Sequence, residues 1–219
     1  MLAPASHRAY TYKITAGPAT NAVSLCTFKL HIKKTTNDED TVLGIYLRAA
    51  IGYCEGFTKR DLITRTYTTF RDFFPGISEG YYMFGGVSSL GGGNIGFELR
   101  RSPLQSITSI KYLQSTVLTT VATSVYYNTV EDDYSEVLTN DGSCWPTDAD
   151  RRLQTVQIEF KSGFGDDDTS TPTWATEGIL LHATEMYKNR GDCSCDGDIK
   201  KTLPPAANTL YLQNRIENL

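Results

Sequence analysis

The residues best suited to bind a metal lie close together in the last part of the sequence. Cys193 and Cys195 form a Cys-x-Cys pair directly after Asp192, and His182 precedes them. A structural zinc site needs four ligands, usually from two such pairs, and this sequence has one pair. We therefore expect two reduced thiols in a polar loop, with no metal, and the sequence assigns them no function.

Two further stretches have the composition of a ligand site without its spacing. Asp166-Asp167-Asp168 lacks the alternating carboxylates and the distant Glu of a calcium loop. The glycines at 85–86 and 91–93 are not followed by the Lys-Ser or Lys-Thr of a phosphate-binding loop. We expect a solvated acidic turn, suited to a basic partner surface, and a flexible loop, and no cofactor at either place.

The three histidines do not form a catalytic set. His7, His31 and His182 are far apart in sequence, and no Ser or Cys occurs in a Gly-x-Ser-x-Gly type of elbow. His182 falls on the apolar side of a predicted helix, where a packed histidine is commoner than a base. The sequence therefore predicts that the protein is not an enzyme, and a small hydrolase dependent on His182 is the third alternative.

Composition indicates a folded protein that does not grip DNA. The chain is 40% hydrophobic and 21% charged, which is ordinary for a globular domain. Its net charge is −4 and its basic residues form no long run, so tight duplex binding is disfavoured.

No segment has the run of about 20 apolar residues of a membrane span, and we expect no export signal and no membrane contact. Five scattered cysteines favour reduced thiols in a cytoplasm.

Capping residues and apolar periodicity predict three helices, at 24–34, 38–56 and 174–190. Ser24 is placed to cap the first, the acidic run Asn37 to Asp40 to begin the second, and Pro172 precedes the third. Gly56 is placed to end the second helix. The core-facing stripe expected on that helix is Leu43, Tyr46, Leu47, Ala50, Ile51 and Cys54.

Between the second and third helices the sequence changes to β-branched and aromatic residues, which favours strands. The expected strands are Leu62 to Phe70, Phe97 to Arg101, Ile107 to Leu113 and Thr155 to Lys161. Ser115 to Tyr127 is expected to add a hairpin. The predicted fold class is α+β: a small helical bundle core, an inserted antiparallel β-sheet and hairpin region at 62–161, and extended terminal segments.

Both ends of the chain are predicted to lie outside the main domain. Residues 1–23 read as an N-terminal arm, 24–192 as the main domain, and 193–219 as a C-terminal tail. In that tail Leu203-Pro204-Pro205 breaks the chain before four apolar residues spaced among polar ones. Such a segment is too short to fold alone, so it needs a surface on which to lie.

Five strings, in order, resemble the head-tail connector (adaptor, or head-completion) family of long-tailed bacteriophages. Leu30 to Ile32 with the acidic run and helix after it is similar to the family's first helical pair, and Leu62 to Tyr67 to its next strand. The string from Arg101 to Ile110, in which Pro-Leu leads into a strand, carries the most weight. The remaining strings are Val156 to Asp166 and the helix from Ala175 to Arg190. The stretches Gly80 to Gly96 and Ser115 to Tyr127 look longer than the family pattern.

This resemblance implies a structural virion protein of the neck, assembled in the host cytoplasm. It implies a ring of about twelve copies that joins the portal protein to the tail, next to a stopper or tail-terminator protein, with DNA only as non-specific cargo in the channel. The main domain would be the connector domain and the tail would dock on the portal. An alternative is a stopper or tail-completion protein of the neck.

The resemblance and the aromatic content of the loops nominate two sets of contact residues. The portal-docking set is Leu203, Leu210, Leu212, Ile216 and Leu219. The set for contacts with other subunits or neck proteins is Tyr81, Tyr82, Phe84, Tyr126 and Tyr127.

Overall fold

A computed structural model describes residues 11–75, 96–99, 101–130, 135–150, 152–189 and 203–216. The chain divides into two compact units. The helical unit is Pro18–Thr64 with Gly163–Leu219, and the sheet unit is Met1–Gly17 with Arg65–Ser162. Helices and antiparallel sheets are both present, so the predicted α+β class is confirmed.

The described part of the helical unit contains four α-helices and a short 3-10 turn. The α-helices are α1 (Leu25–His31), α2 (Asp40–Thr58), α3 (Thr173–Lys188) and α4 (Pro205–Gln213). Ser24 caps α1 as predicted, because its Oγ accepts the N–H of Thr27 at 3.1 Å.

The predicted end of α2 at Gly56 is wrong. The helix continues to Thr58, whose buried hydroxyl donates to the carbonyl of Cys54 at 2.7 Å. Lys59 then adopts a left-handed conformation at φ 63°, and its N–H donates to the carbonyl of Glu55 at 3.0 Å. Burial of Thr58 keeps the chain helical past the glycine, and a lysine supplies the turn that glycine usually makes.

The core of the helical unit lies along one side of α2. The predicted stripe faces it, except that Tyr46 is only half-buried. Tyr211 of α4 is fully buried and sits over Gly178 of α3, where an added Cβ would lie 2.5 Å from the ring carbon Cε1. Glycine is therefore required at 178 for α4 to reach the core. The residues of α3 and α4 that share this core are Ala175, Ile179, Leu180, Ala183, Ala207 and Tyr211.

The sheet unit contains eight described strands, all paired antiparallel. They are β1 (Thr11–Ala16), β2 (Arg65–Arg71), β3 (Gly96–Leu99), β4 (Leu104–Gln114), β5 (Val117–Thr120), β6 (Tyr126–Val130), β7 (Ser135–Thr139) and β8 (Val156–Ser162). One sheet has the order β1-β2-β8-β4-β5, and the other has the order β3-β7-β6. A cis bond joins Ser102 to Pro103 just before β4.

Strand β8 runs through the middle of the five-stranded sheet. Its apolar residues Val156, Ile158 and Phe160 are fully buried and alternate with more exposed neighbours, which confirms the predicted alternation. In the register, Ile158 lies between Thr69 of β2 and Ile110 of β4.

Aromatic rings fill much of the core of the sheet unit. Trp145 stacks on Phe74 with a centroid distance of 5.2 Å, and it meets the ring of Phe97 edge-on at 5.3 Å. Such pairs contribute about 0.5–1.5 kcal/mol beyond the area that they bury.

Two strands were not among the sequence predictions. Strand β1 falls within the stretch predicted as an arm, and it pairs with β2 from Thr11 to Ala16. Strand β7 pairs with both β3 and β6. Both are short. The partner of β1 is distant in sequence, whereas β7 pairs with the nearby β6 as well as with the more distant β3. The Gly-rich stretch from Gly80 lies, except for Gly96, outside the described residues.

Candidate assembly surfaces

The outward side of α2 is largely apolar, and its one charged residue among Val42 to Gly56 is the exposed Arg48. We call Val42, Ile45, Ala49, Gly52, Tyr53 and Gly56 the outer face of α2. These residues recur at helical spacing, all are exposed, and Ile45 retains 52% of its accessible surface. A surface helix usually carries charged or polar residues on the side away from the core. The outer face of α2 is therefore suited to contact with another apolar surface.

Two glycines on this face have no steric role among the described residues. A Cβ added at Gly52 or at Gly56 would meet no atom within 4 Å. Each glycine inside a helix costs about 0.8–1.0 kcal/mol relative to alanine. Glycine at these places leaves the backbone of α2 accessible to a neighbouring surface.

The predicted portal-docking residues lie in and around α4, and the structure separates them. Ile216 is buried, and its N–H donates to the carbonyl of Thr58 at 3.1 Å. Leu203 packs against the helical core. Leu212 is 50% exposed and Leu210 is partly exposed, whereas Leu219 lies outside the described residues. The surface on which this segment lies thus belongs to the chain itself, and docking on a portal stays a prediction.

His182 is packed among aromatic rings. It is 2% exposed, and its ring meets that of Tyr53 edge-on at 5.0 Å. Burial lowers the pKa of His182, because the charged imidazolium would lose its hydration. Burial likewise raises the pKa of the Cys54 thiol to about 12, so this thiol stays protonated and unreactive.

The acidic stretch 166–168 has a local structural role. Asp167 begins a 3-10 turn over Asp168–Ser170, and its Oδ1 accepts hydrogen bonds from the hydroxyls of Thr169 and Ser170, at 2.7 and 3.0 Å. These bonds hold the pKa of Asp167 below its usual value. Within the described residues no group of three His, Cys, Asp or Glu side chains could hold a metal ion, and Cys193 and Cys195 lie outside them.

The structure distinguishes the two described tyrosines predicted to contact neighbouring proteins. Tyr126 is buried and stacks on Trp145 with a centroid distance of 6.3 Å. Tyr127 is exposed on the same strand, as alternation in β6 requires. Tyr81, Tyr82 and Phe84 lie outside the described residues.

The five-stranded sheet ends in β5, and a carboxylate braces the turn that leads into it. Ser115 and Thr116 form the two-residue turn between β4 and β5, both with positive φ. Their N–H groups donate to Oδ1 and Oδ2 of Asp150 at 2.9 and 3.0 Å. These backbone bonds, with that of Thr116 the largest cause, lower the pKa of Asp150. The brace fixes a turn that usually requires Asn-Gly.

Neither the outer face of α2 nor the edge strand β5 was predicted as a surface from the sequence. A signal for the first was present, because one side of the predicted helix carries the core stripe and the opposite side is also largely apolar. The second had no local signal, since only strand order shows which strand is at an edge.

Among the described residues, no helix combines the length and apolar composition needed to cross a bilayer.

Three solved chains from gene transfer agent (GTA) particles have this fold. One, in the neck of an empty GTA particle computed with C6 symmetry, has a TM-score of 0.71 and 20% identity. Another, in the virion of a native GTA particle, has a TM-score of 0.69 and 20% identity. The third, in the neck of a native GTA particle computed with C12 symmetry, has a TM-score of 0.68 and 19% identity. Each match covers 95% of this chain and 97% of the other.

No protein-family model matches the chain, and no curated protein matches it in sequence. The likeness to the GTA chains therefore defines the fold of this chain.

Proposed function

We propose that the chain is a structural protein of the neck of a phage-like virion, in which copies form a ring that joins the portal of the head to the tail. The observation that carries this proposal is the likeness of fold along nearly the whole of both chains to proteins in GTA necks. The five strings that resemble head-tail connectors point to the same role.

The surface chemistry supports assembly rather than catalysis. The outer face of α2 provides a largely apolar helix surface, and the buried side chains of His182 and Cys54 are held in their neutral forms. A ring made by rotation needs two different surfaces on each copy, which meet on adjacent copies. The symmetries of the two GTA neck structures are those of rings, and we propose a ring of twelve copies here.

In this proposal DNA passes through the ring without being gripped. The net charge of −4 disfavours neutralisation of many phosphates. The portal would be contacted by Leu212, which is half exposed, and by Leu210, which is partly exposed, on α4. A stopper or tail-terminator protein would lie on the tail side, and assembly would take place in the host cytoplasm.

The test is electron microscopy of the full-length chain mixed with the portal protein of the same particle. We expect a ring of this chain stacked on the portal ring. Binding to the tail-tube protein without any binding to the portal would instead identify a stopper or tail-completion protein. If the chain joins neither, the proposed function is wrong.

A matched pair of variants tests the part played by α2. Ile45→Arg places a charge on the outer face of α2 at an exposed position, so the fold is retained while ring formation is lost. Thr35→Arg adds the same charge in the exposed loop between α1 and α2, and rings should form normally. If Ile45→Arg forms normal rings, the outer face of α2 does not lie at the interface between copies. The proposed neck function would not be affected by that result.

A further inference from the structure

The outer edge of β5 presents backbone groups that no described residue pairs. Gln114 and Val117 flank the two-residue turn, and the N–H of Val121 donates to the carbonyl of Ile110 at 2.8 Å. Since bonding alternates along an antiparallel strand, Val117, Thr119 and Val121 bond to β4. The N–H and C=O groups of Leu118 and Thr120 therefore point away from the sheet.

This edge lacks the features with which proteins usually prevent strand addition. Its sequence is Val-Leu-Thr-Thr, with no charge and no proline, and its pairing with β4 is regular. Val117 and Leu118 are 64% and 45% exposed. The Asp150 brace holds this strand in place before any partner arrives, which reduces the entropy cost of pairing.

The opposite edge of the same sheet is β1. It is exposed along nearly its whole length, including Ile14, and its one charge is Lys13. Every neighbouring pair in the order β1-β2-β8-β4-β5 is antiparallel, and the sheet has five strands. The first and last strands therefore run in the same direction.

We propose that β5 of one copy pairs in parallel with β1 of the next copy, so that the sheets of adjacent copies are joined around the ring. This inference rests on the proposed ring, because rotation about a ring axis brings different edges of two copies together. Rotation about an axis along the strands also preserves strand direction, so the same-direction edges match.

Pairing of identical edges is the competing arrangement. A two-fold axis would join β5 to β5 or β1 to β1, both antiparallel, and would leave the other edge of each copy uncovered. The ring arrangement instead uses both edges of every copy once.

Cross-linking distinguishes these arrangements. Full-length Ile14→Cys and Leu118→Cys chains are prepared separately, mixed, assembled on the portal and treated with a short bismaleimide. Peptide mass spectrometry then identifies the linked positions. The parent protein is treated in the same way, to identify cross-links that form through its own thiols. Of these, Cys26 and Cys144 are exposed.

We expect a link between positions 14 and 118 in the mixture and no 14–14 or 118–118 link in either single variant. Rings that are visible by microscopy but lack the 14–118 link would overturn the strand pairing while leaving the neck function intact. Absence of any ring would overturn both.

A second pair of variants tests the backbone rather than the side chains. Thr120→Pro removes one outward N–H at an edge position that tolerates proline, and Thr120→Val keeps it. If circular dichroism shows an unchanged fold, Thr120→Pro should weaken the contact between adjacent copies by up to about tenfold, since one hydrogen bond is lost at each interface. Thr120→Val should assemble like the parent, and equal assembly of both variants would contradict the pairing.

Discussion

The helical unit and the sheet unit differ in how the buried surface of a single element is encoded in the sequence. Along α2, no core residue lies more than four positions from the next, so the core surface of that helix is encoded by one stretch of sequence. In the sheet unit, Ile158 meets Thr69 and Ile110, which come from two other parts of the chain. A single stretch of sequence thus specifies a helix face, whereas sheet neighbours depend on pairing that no single stretch encodes.

The assembled core of the helical unit, unlike the face of α2, does depend on distant segments, and breaking one such contact should have the largest effect. Tyr211 reaches the core from the C-terminal segment over Gly178. Tyr211→Ala should lower the free energy of unfolding by about 3–5 kcal/mol, as for other large buried aromatic residues. The measurement is urea unfolding followed by circular dichroism.

Leu212→Ala is the control for Tyr211, since Leu212 is the next residue and is half exposed. Its effect should stay within about 0.5 kcal/mol. Equal losses for the two variants would mean that α4 does not pack as described.

Changes on the outer face of α2 should affect assembly without destabilising the fold, unlike changes on its core side. Gly52→Ala should raise the free energy of unfolding by up to about 1 kcal/mol, because alanine favours the helix and meets no atom there. The same change should impair ring assembly, because the added methyl group prevents close approach of a neighbour. Thermal unfolding and assembly on the portal measure the two effects, and a stabilised variant that assembles normally would argue against a contact at Gly52.

Lowering the pH should destabilise the helical unit, because the buried His182 must then become protonated. Its pKa in the folded protein is below the ordinary value of 6.5, so between these two values the unfolded chain binds more protons. The neutral imidazole contributes its full share to the free energy of unfolding above about pH 6.5. This contribution is lost as the pH falls toward the pKa of His182 in the folded protein. His182→Gln should remove this slope, as measured by unfolding at pH 7 and pH 5.5, and an unchanged slope would assign the acid sensitivity to other groups.

The smallest effect is expected in the sheet unit, at the turn before β5. Asp150→Asn keeps one acceptor oxygen but loses the charge, so the N–H groups of Ser115 and Thr116 can no longer both be held by a carboxylate. We expect faster hydrogen exchange along Val117–Thr120 with little change at the centre of β8. Exchange that remains equal to the parent's would show that the turn does not depend on this brace.

The limits of sequence reasoning follow the same division. Ser24 as a cap, the core stripe of α2 and the alternation of β8 were predictable because each signal is contained in a few neighbouring residues. The end of α2 was missed because burial of Thr58 overrides Gly56. Strands β1 and β7 were missed because each is short, and β1 is in addition paired only with the distant β2. The open edges of the sheet could not be predicted, since the strand order itself comes only from long-range pairing.

The order of the units along the chain also sets the order in which they are completed during synthesis. The last strand of the sheet unit ends at Ser162, before the first residue of α3 has been made. About 130 residues separate the end of α2 from the end of α3, which at 5–20 residues per second takes roughly 6 to 26 seconds. On the ribosome, α2 therefore waits with its core side uncovered by α3 and α4 while the sheet unit is finished, and the helical unit closes last.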